Sequence, residues 1–324
     1  MESAISARDL VKTYKRVRAL DGLSFDVEAG TVFGLLGPNG AGKSTTVKIL
    51  TTLSRPDSGA ARVAGHDVLR QPDRVRRAIG VVAQRPGVDI EATGRENLEL
   101  QGRLYGLRGR ELATRVESLL ERFRLDEAAR RVVRTYSGGM QRRLDLAMGL
   151  VHRPAVLLLD EPTTGLDPEI RVEMWAEIER LVRDEGLTIL LTTHYLEEAD
   201  HLAARLAIID RGTVVTEGSP EELKSELMGD SVVVELGRPE ANGHATGAIE
   251  RVPGVREIVL DGQTLRARVP DGATAVPAML GALEGAGVEV QAVTVARPSL
   301  DDVYLRHTGR AFGARDRDRE EDAR

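Results

Sequence analysis

A stretch of nine residues near the N-terminus has the spacing G-x-x-x-x-G-K-[ST], which is typical of loops that wrap the phosphates of a nucleotide. In order, its residues are Gly37, Pro38, Asn39, Gly40, Ala41, Gly42, Lys43, Ser44 and Thr45. The apolar run before it, residues 31–36, predicts a short buried strand, and residues 44–50 can begin a helix. This strand–loop–helix order predicts an α/β core and disfavours the alternative, a glycine-rich turn with a surface lysine.

The residue types in this loop suit a phosphate group. Glycines let the backbone curl so that successive N–H groups point inward, and the N-terminus of the helix adds a positive partial charge. Lys43 would reach the β- and γ-phosphates, and the Ser44 hydroxyl would complete the shell of a Mg²⁺ ion. We therefore predict that the chain binds a nucleoside triphosphate.

Composition narrows the class of protein further. The 324 residues suggest two domains, and no apolar run approaches the length that crosses a bilayer. Residues 1–4 lack the pattern of a secretory signal, and the absence of cysteine excludes disulfides and thiolate metal sites. A net charge of −6, with 4 Phe and 1 Trp, argues against a nucleic-acid partner.

A second apolar strand ends in two carboxylates. Residues 156–159 are all apolar, which predicts burial on both faces of a parallel sheet, and Asp160 and Glu161 follow them. Acidic groups at the carboxyl end of such a strand lie where α/β folds bind ligands. Asp160 can hold Mg²⁺ through water, and Glu161 can polarise an attacking water. The alternative is a simple cap of the next helix, which the upstream phosphate loop disfavours.

Between residues 94 and 150 the pattern changes to helical periodicity, which predicts a helical insert within the α/β frame. Inside this insert, Ser137, Gly138 and Gly139 stand at the start of a helix. Ser137 is a suitable N-cap, and two glycines at a helix start form a second geometry that can bind an anion. Alone, this segment is weak evidence for a site.

Three isolated residues are further candidates, each with an ordinary alternative. Tyr14 lies on the first of two predicted antiparallel strands with a turn at Asp21-Gly22, and it could stack on adenine or simply pack in the sheet. Gln84 follows a strand and by itself is a loop residue. His194 ends an apolar strand, where it could donate to a γ-phosphate or be structural.

The C-terminal third of the sequence predicts a different domain. Residues 230–308 show a β-α-β-β-α-β order with a turn at 261–262, which indicates a small ferredoxin-like α+β sandwich. This segment has no catalytic cluster, so we interpret it as a regulatory or assembly module. The first domain would then cover residues 5–228, and the mixed charges of residues 309–324 predict a disordered tail.

Taken together, the motifs over residues 5–225 resemble the ATP-binding subunit of an ABC transporter. Residues 37–45 resemble its Walker A loop, residues 136–140 its signature motif and residues 156–160 its Walker B strand. The resemblance implies these roles for single residues: Gln84 in the Q-loop, Glu161 as catalytic base, Asp167 in the D-loop, His194 as switch histidine and Tyr14 as the aromatic that stacks on adenine.

The resemblance also implies a fold and an assembly. We expect a mixed sheet with the helical insert and an antiparallel β-subdomain, and a Mg²⁺ ion held through Ser44, Gln84 and Asp160. Two copies would pack head to tail, with each ATP on the phosphate loop of one subunit and under Ser137 and Gly139 of the other. A separately encoded transmembrane permease would dock on the helical insert and hold the protein at the cytoplasmic face of the cell membrane.

The signature segment differs from the usual family pattern at both ends. That pattern is Leu-Ser-Gly-Gly-Gln, and here Tyr136 and Met140 replace its first and last residues. This variant, together with the appended domain and residues 298–304, resembles the daunorubicin/doxorubicin-resistance branch of bacterial drug exporters. The branch implies export of a drug or antibiotic-like compound.

Two other classes of protein use a similar phosphate loop. A soluble ABC-type ATPase acting on ribosomes or nucleic acid usually carries two cassettes or a long coiled-coil insert, whereas this chain has one phosphate loop and no such heptad run. This class is the main alternative to a transporter subunit. A GTP-dependent switch would need an Asn-Lys-x-Asp segment to read guanine, and the sequence has none.

Overall fold

The computed structural model describes residues 3–227, 229–237, 242–309 and 312. The chain divides into two compact units between Glu217 and Gly218. The boundary expected from the sequence, at residue 228, lies later in the chain, because the short helix Pro220–Ser225 groups with the second unit. In the described part of the chain, no helix combines the length and the apolar character needed to cross a bilayer.

The first unit mixes strands and helices. Its strands are β1 (Ser3–Tyr14), β2 (Val17–Glu28), β3 (Val32–Leu36), β4 (Ser58–Val63), β5 (His66–Asp67), β6 (Ile79–Val82), β7 (Val156–Asp160), β8 (Thr188–Thr193), β9 (Arg205–Asp210) and β10 (Thr213–Gly218). Its helices are α1 (Lys43–Leu50), α2 (Pro72–Ala78), α3 (Gly94–Leu104), α4 (Gly109–Arg122), α5 (Gly138–Leu150), α6 (Pro168–Glu185) and α7 (Leu196–Leu202).

The larger sheet of this unit has the strand order β10-β9-β3-β8-β7-β6. The strands from β9 to β6 in this order run parallel to their neighbours. Every residue of β3, β7 and β8 is buried, which confirms that these apolar runs lie between two layers. Because parallel strands end at the same edge, the phosphate loop, the carboxylates at the end of β7 and His194 all lie at strand ends along that edge.

A smaller antiparallel sheet has the order β2-β1-β4-β5. The two predicted N-terminal strands are present, but the predicted turn at Asp21-Gly22 is wrong. The chain reverses at residues 15–16 instead, and Gly22 lies within β2. The register of β1 against β2 shifts where Val11 faces Asp21, so Gly22 is the extra residue of a β-bulge, and its φ of 80° suits glycine.

The predicted helical insert is confirmed as α3, α4 and α5, with a short 3-10 turn at Val133–Thr135. In α4, Leu112, Val116 and Leu119 are buried at helical spacing, as the periodicity predicts. These side chains and Leu144 of α5 belong to one core that continues under the large sheet. The insert is therefore packed onto the same hydrophobic layer that supports the strand ends.

The second unit begins with α8 (Pro220–Ser225). Its further elements are β11 (Asp230–Leu236), α9 (Asn242–Ile249), β12 (Arg256–Asp261), β13 (Thr264–Val269), α10 (Gly272–Gly285), β14 (Val290–Ala296) and α11 (Leu300–Thr308). The sheet order β12-β13-β11-β14, with antiparallel pairs, confirms the predicted β-α-β-β-α-β arrangement. The predicted tail, residues 309–324, lies outside the described residues apart from 309 and 312.

Candidate functional site

The phosphate loop connects the end of β3 to the start of α1. Gly40 and Gly42 have φ angles of 81° and 115°, in the left-handed region that residues with a Cβ rarely adopt. At Gly37, a Cβ atom would lie 2.5 Å from the carbonyl oxygen of Ile209 on β9. The glycines therefore let the loop turn tightly while it packs directly on the sheet.

Lys43 is the first residue of α1, and its side chain is 4% exposed. Its Nζ donates to the carbonyl oxygens of Gly37 at 2.7 Å and Pro38 at 3.3 Å. The same Nζ lies 3.2 Å from Oε1 of Glu161. The ammonium group is thus held inside the loop, where a phosphate could take over these contacts.

Asp160, the last residue of β7, has two hydroxyl neighbours. Thr192 Oγ1 on β8 donates to Asp160 Oδ1 at 2.5 Å, and Ser44 Oγ donates to the same oxygen at 3.5 Å. A carboxylate and a hydroxyl at this spacing are oxygen ligands of the kind that Mg²⁺ prefers. The donor set therefore fits the metal position predicted for Ser44 and Asp160.

Three predicted site residues converge on Glu161. Its Oε1 faces Lys43, while Gln84 Nε2 donates to its Oε2 at 3.0 Å and His194 Nδ1 lies 3.2 Å from the same oxygen. The backbone of Glu161 has a φ of 51°, which is uncommon for a residue with a side chain. Its N–H donates to the carbonyl oxygen of Thr192 at 3.0 Å, so neighbouring structure holds this conformation.

The surroundings of Glu161 determine its charge. Burial raises the pKa of this carboxyl, but the contacts with His194 and Lys43 outweigh burial and lower the pKa from 4.5 to about 2. The group is therefore ionised and accepts hydrogen bonds at neutral pH. A carboxylate that is to polarise water must be in this state.

A cavity of about 310 Å³ opens beside these groups. It is lined by Val17, Ala19, Asn39, Gly40, Gly42, Lys43, Ser44, Thr45, Gln84 and Glu161. The curled backbone, the ammonium group and the hydroxyls of this lining suit a bound polyphosphate. The ionised carboxylate of Glu161, next to the ammonium group, suits activation of a water molecule. The arrangement can therefore support cleavage of a phosphoanhydride bond.

Comparisons with known proteins agree with this geometry. Residues 20–164 match the family described as ABC transporter, and residues 218–308 match the family described as ATP-binding protein DrrA1-3-like, C-terminal domain. The daunorubicin resistance ATP-binding protein DrrA3 of Streptomyces coeruleorubidus is 48% identical over 95% of this chain and 96% of its own length. The chain belongs to the ABC transporter ATP-binding proteins.

Other relatives of this ABC ATP-binding protein support the same placement. The daunorubicin/doxorubicin resistance ATP-binding protein DrrA of Streptomyces peucetius is 46% identical over 99% of this chain and 96% of its own length. The structure of cbiO1 from Clostridium perfringens, part of the ABC transporter complex cbiONQ, matches with a TM-score of 0.65 and 26% identity over 70% of this chain and 92% of cbiO1.

A second solved structure bears on the chemistry. The dimeric cassette MJ0796, in a post-hydrolysis state bound to ADP and Pi, matches with a TM-score of 0.61 and 26% identity over 66% of this chain and 98% of that one. These matches confirm the predicted ABC ATPase fold. They also confirm that this ABC ATP-binding protein is an ATP-hydrolysing transport ATPase.

The signature segment of this ABC ATP-binding protein stands at the start of α5. Ser137 Oγ accepts from the N–H of Met140 at 3.2 Å, which confirms Ser137 as the N-cap. A Cβ atom on Gly139 would lie 2.6 Å from Cδ1 of Ile170, whereas a Cβ on Gly138 would meet open space. Close packing against α6 thus explains why residue 139 has no side chain, whereas the absence of a side chain at Gly138 leaves the backbone there accessible.

The two departures from the usual signature pattern have packing partners. Tyr136 is buried and donates its hydroxyl to the carbonyl oxygen of Ala128 at 2.7 Å. A Cβ atom on Gly94, at the start of α3, would collide with that hydroxyl. Met140 is partly buried against the main core. The absence of a side chain at Gly94 on the neighbouring helix α3 therefore leaves the space that Tyr136 occupies.

Not every predicted residue reaches the cavity. Ser137, Gly138 and Asp167 are exposed and do not line it, so the two glycine turns of one chain do not share this cavity. Tyr14 also lies outside it, with its side chain 43% exposed and its hydroxyl 3.2 Å from Ser54 Oγ. Val17, the first residue of β2, lines the cavity instead of Tyr14.

Four buried polar residues around the site were missed by sequence reasoning. They are Arg142, Asp145, Thr192 and Glu198. Thr192 bonds Asp160, and Glu198 Oε1 accepts from Thr163 Oγ1 at 2.7 Å, two residues after Glu161. The available signal was a polar residue within an apolar stretch, such as Thr192 after Leu190 and Leu191. Periodicity alone does not say which of these residues face a site.

Proposed function

We propose that this protein powers the export of a drug or antibiotic-like compound by a membrane ABC transporter. The similar proteins of the two Streptomyces species carry names that refer to daunorubicin and doxorubicin resistance, and the match extends over nearly the whole chain. The observation that carries the ATP-driven step is the convergence of Lys43, Gln84 and His194 on the ionised carboxylate of Glu161.

During hydrolysis, each group of the candidate site would act on one part of ATP. The backbone of residues 37–45 would hold the phosphates, and Lys43 would leave Glu161 for the β- and γ-phosphate oxygens. Glu161 would then orient the attacking water, and His194 would donate to the γ-phosphate. Gln84 would contact the metal when it is bound and so couple metal binding to the position of the helical insert.

A Mg²⁺ ion fits the oxygens of Ser44 and Asp160, with Gln84 completing the set. When bound, it neutralises charge that develops on the phosphate oxygens. Asp160 would hold it through water, and Thr192 would fix the orientation of that carboxylate. The exposed ring of Tyr14 lies outside the cavity that Val17 lines, and we propose that it stacks on an adenine extending beyond that cavity.

A second copy of the chain would complete each site. Ser137, Gly138 and Asp167 are exposed and do not line the cavity of their own chain, so they could face ATP on a partner. In a head-to-tail dimer, the Ser137 hydroxyl and the N–H groups of Gly138 and Gly139 would meet the γ-phosphate. The similar cassette MJ0796 is dimeric in its solved structure, which supports this arrangement.

The transmembrane path would come from a separately encoded permease. The similar protein cbiO1 is part of the complex cbiONQ, which supports an assembly of this type. We propose that the permease contacts the helical insert, where Leu100, Leu104 and Tyr105 expose apolar surface. The ATPase would then be a peripheral protein on the cytoplasmic face of the membrane.

Co-expression with the neighbouring membrane-protein reading frame tests this proposal. Cells carrying both proteins should extrude daunorubicin, and the ATPase should appear in the membrane fraction. The Lys43→Ala variant should reach the membrane but abolish extrusion. If the wild-type chain instead stays in the soluble fraction and sediments with ribosomes, the export proposal is wrong and the soluble-ATPase alternative is supported.

A further inference from the structure

The signature helix, α5, carries one arginine whose side chain contacts the catalytic turn, residues 161–165, which contains Glu161. Arg142 of α5 is 5% exposed, and its guanidinium reaches backbone carbonyl oxygens of two separate segments. Nε donates to Pro162 at 2.6 Å, and Nη2 donates to Glu161 at 3.3 Å. Nη1 donates to Ala83 at 2.6 Å, directly before Gln84. One planar group therefore joins the turn that carries Glu161 to the loop that carries Gln84.

Asp145, one turn further along α5, completes this connection. It is 4% exposed and lies 3.2 Å from Arg142, and its Oδ1 accepts from the N–H of Gly87 at 3.0 Å. The loop that carries Gln84 is thus fixed on both sides of that residue, at Ala83 and at Gly87. Both anchors belong to the signature helix.

The opposite end of the catalytic turn has its own attachment. Thr163 Oγ1 donates to Glu198 of α7, which also accepts from Trp175 Nε1 at 3.2 Å. Glu161 itself has a left-handed backbone conformation. Such a conformation persists only where the surroundings determine it. Here the bonds of Arg142 to the carbonyl oxygens of Glu161 and Pro162, together with the bond of Thr163 to Glu198, supply that restraint.

Stability alone is a weak reason for a buried arginine–aspartate pair. Burial lowers the pKa of Arg142 and raises the pKa of Asp145, which shows that both charges are held at a desolvation cost. Apolar residues of similar volume often replace such pairs with no loss of stability. What apolar residues cannot replace is the set of directed bonds from Arg142 to the carbonyl oxygens of Ala83, Glu161 and Pro162.

We propose that Arg142 is a positioning residue for ATP hydrolysis, which sets the placement of Glu161 and Gln84 through their backbone and links it to the signature helix. This inference rests on the proposed roles of Glu161 and Gln84. Any shift of α5 when its N-terminus meets ATP on a partner subunit is transmitted to both side chains through Arg142. Asp145 keeps the guanidinium in the required orientation.

Three variants test this role. Arg142→Lys keeps the charge but cannot bond all these carbonyl oxygens at once. The double variant Arg142→Met with Asp145→Leu removes both charges and keeps apolar volume. Arg115→Lys is the matched control, because Arg115 also donates to two carbonyl oxygens, those of Leu150 and Val151 at the other end of α5. The measurements are kcat, KM for ATP, ATP affinity and Tm.

We expect both Arg142 variants to lose roughly 10- to 100-fold in kcat, because small misplacements of catalytic groups have effects of this size. Their ATP affinity should stay within about twofold of wild type, and their Tm should stay close to that of Arg115→Lys. Arg115→Lys itself should keep the wild-type kcat.

Two results would overturn the positioning role. One is a wild-type kcat in Arg142→Lys or in the double variant. The other is a loss of kcat that always accompanies an equal loss of Tm, since that would make Arg142 structural. If wild-type protein itself hydrolysed no ATP, the proposed catalytic site would fail instead, which separates the two claims.

Discussion

At the Glu161 carboxylate, burial and neighbouring charge act in opposite directions. The side chain is 6% exposed, yet Lys43 and His194 keep it ionised. Lys43 in turn makes its bonds to the carbonyl oxygens of the phosphate loop and to Glu161. The two groups that would act on ATP therefore contact each other in the same small volume, and phosphate must take over the Lys43 contacts.

The lowered pKa of Glu161 predicts a pH dependence of stability. The carboxyl has a pKa of about 2 in the folded protein and 4.5 without these contacts, so the stabilisation is present above pH 4.5 and is lost as the pH falls toward 2. The difference in the free energy of unfolding between wild type and Glu161→Gln should therefore shrink as the pH falls from 4.5 toward 2. Urea unfolding measures this difference, and a difference that does not shrink below pH 4.5 would contradict the assignment.

Replacing Lys43 tests the phosphate loop. Lys43→Ala should weaken ATP affinity by roughly 10- to 100-fold, since bonds to charged groups contribute about 1.5–3 kcal/mol. Lys48→Ala is the matched control, because Lys48 is exposed on the same helix. Titration with a fluorescent ATP analogue measures both. Equal ATP affinity in wild type and Lys43→Ala would remove Lys43 from the site.

At the scale of elements, α5 combines two tasks at its N-terminus. Gly139 faces Ile170 of α6 at packing distance, and Gly138 faces open space. The helix end therefore docks on its own chain with one glycine and exposes the other. Substitutions at the two neighbouring glycines should therefore distinguish the packing role of Gly139 from the ATP-facing role proposed for Gly138.

Alanine at each glycine should have a different effect. In Gly139→Ala, the new Cβ would lie 2.6 Å from Ile170 Cδ1, so the free energy of unfolding should fall by about 1–3 kcal/mol. In Gly138→Ala, stability should stay within about 0.5 kcal/mol, while ATP hydrolysis falls because the methyl group would cover the backbone that faces a partner's ATP. Urea unfolding and steady-state ATPase assays measure both effects. Equal stability of the two variants would contradict this account of the motif.

The sequence predicted those elements that depend on residues close together in the chain, such as apolar strands and helix caps. Fully apolar runs such as 156–159 became buried parallel strands, and the Ser137 cap appeared where its side chain can reach an N–H. The prediction of a turn at Asp21-Gly22 was wrong because a glycine with positive φ is suited to a β-bulge as well as to a turn. Arg142 was missed because its partners, Ala83 and Pro162, are distant in sequence and are bonded through backbone atoms that carry no sequence signal.

At the scale of the whole molecule, the chain combines a nucleotide-binding unit with a ferredoxin-like unit whose strand order is β12-β13-β11-β14. The relatives match across both units, so the second unit is part of the family pattern. In the nucleotide-binding unit, Lys43 and Glu161 line the cavity while Ser137 and Asp167 are exposed elsewhere. The proposed head-to-tail dimer follows from that separation.

The Glu161→Gln variant tests the central claim, a catalytic carboxylate in a site shared by two copies. Light scattering of this variant with and without ATP and Mg²⁺ gives its mass, and a single-turnover assay gives its hydrolysis rate. We predict a monomer that becomes a stable dimer with ATP, binds ATP at least as tightly as wild type and hydrolyses it orders of magnitude more slowly. Near-wild-type turnover, or a variant that binds ATP and remains monomeric, would contradict the account.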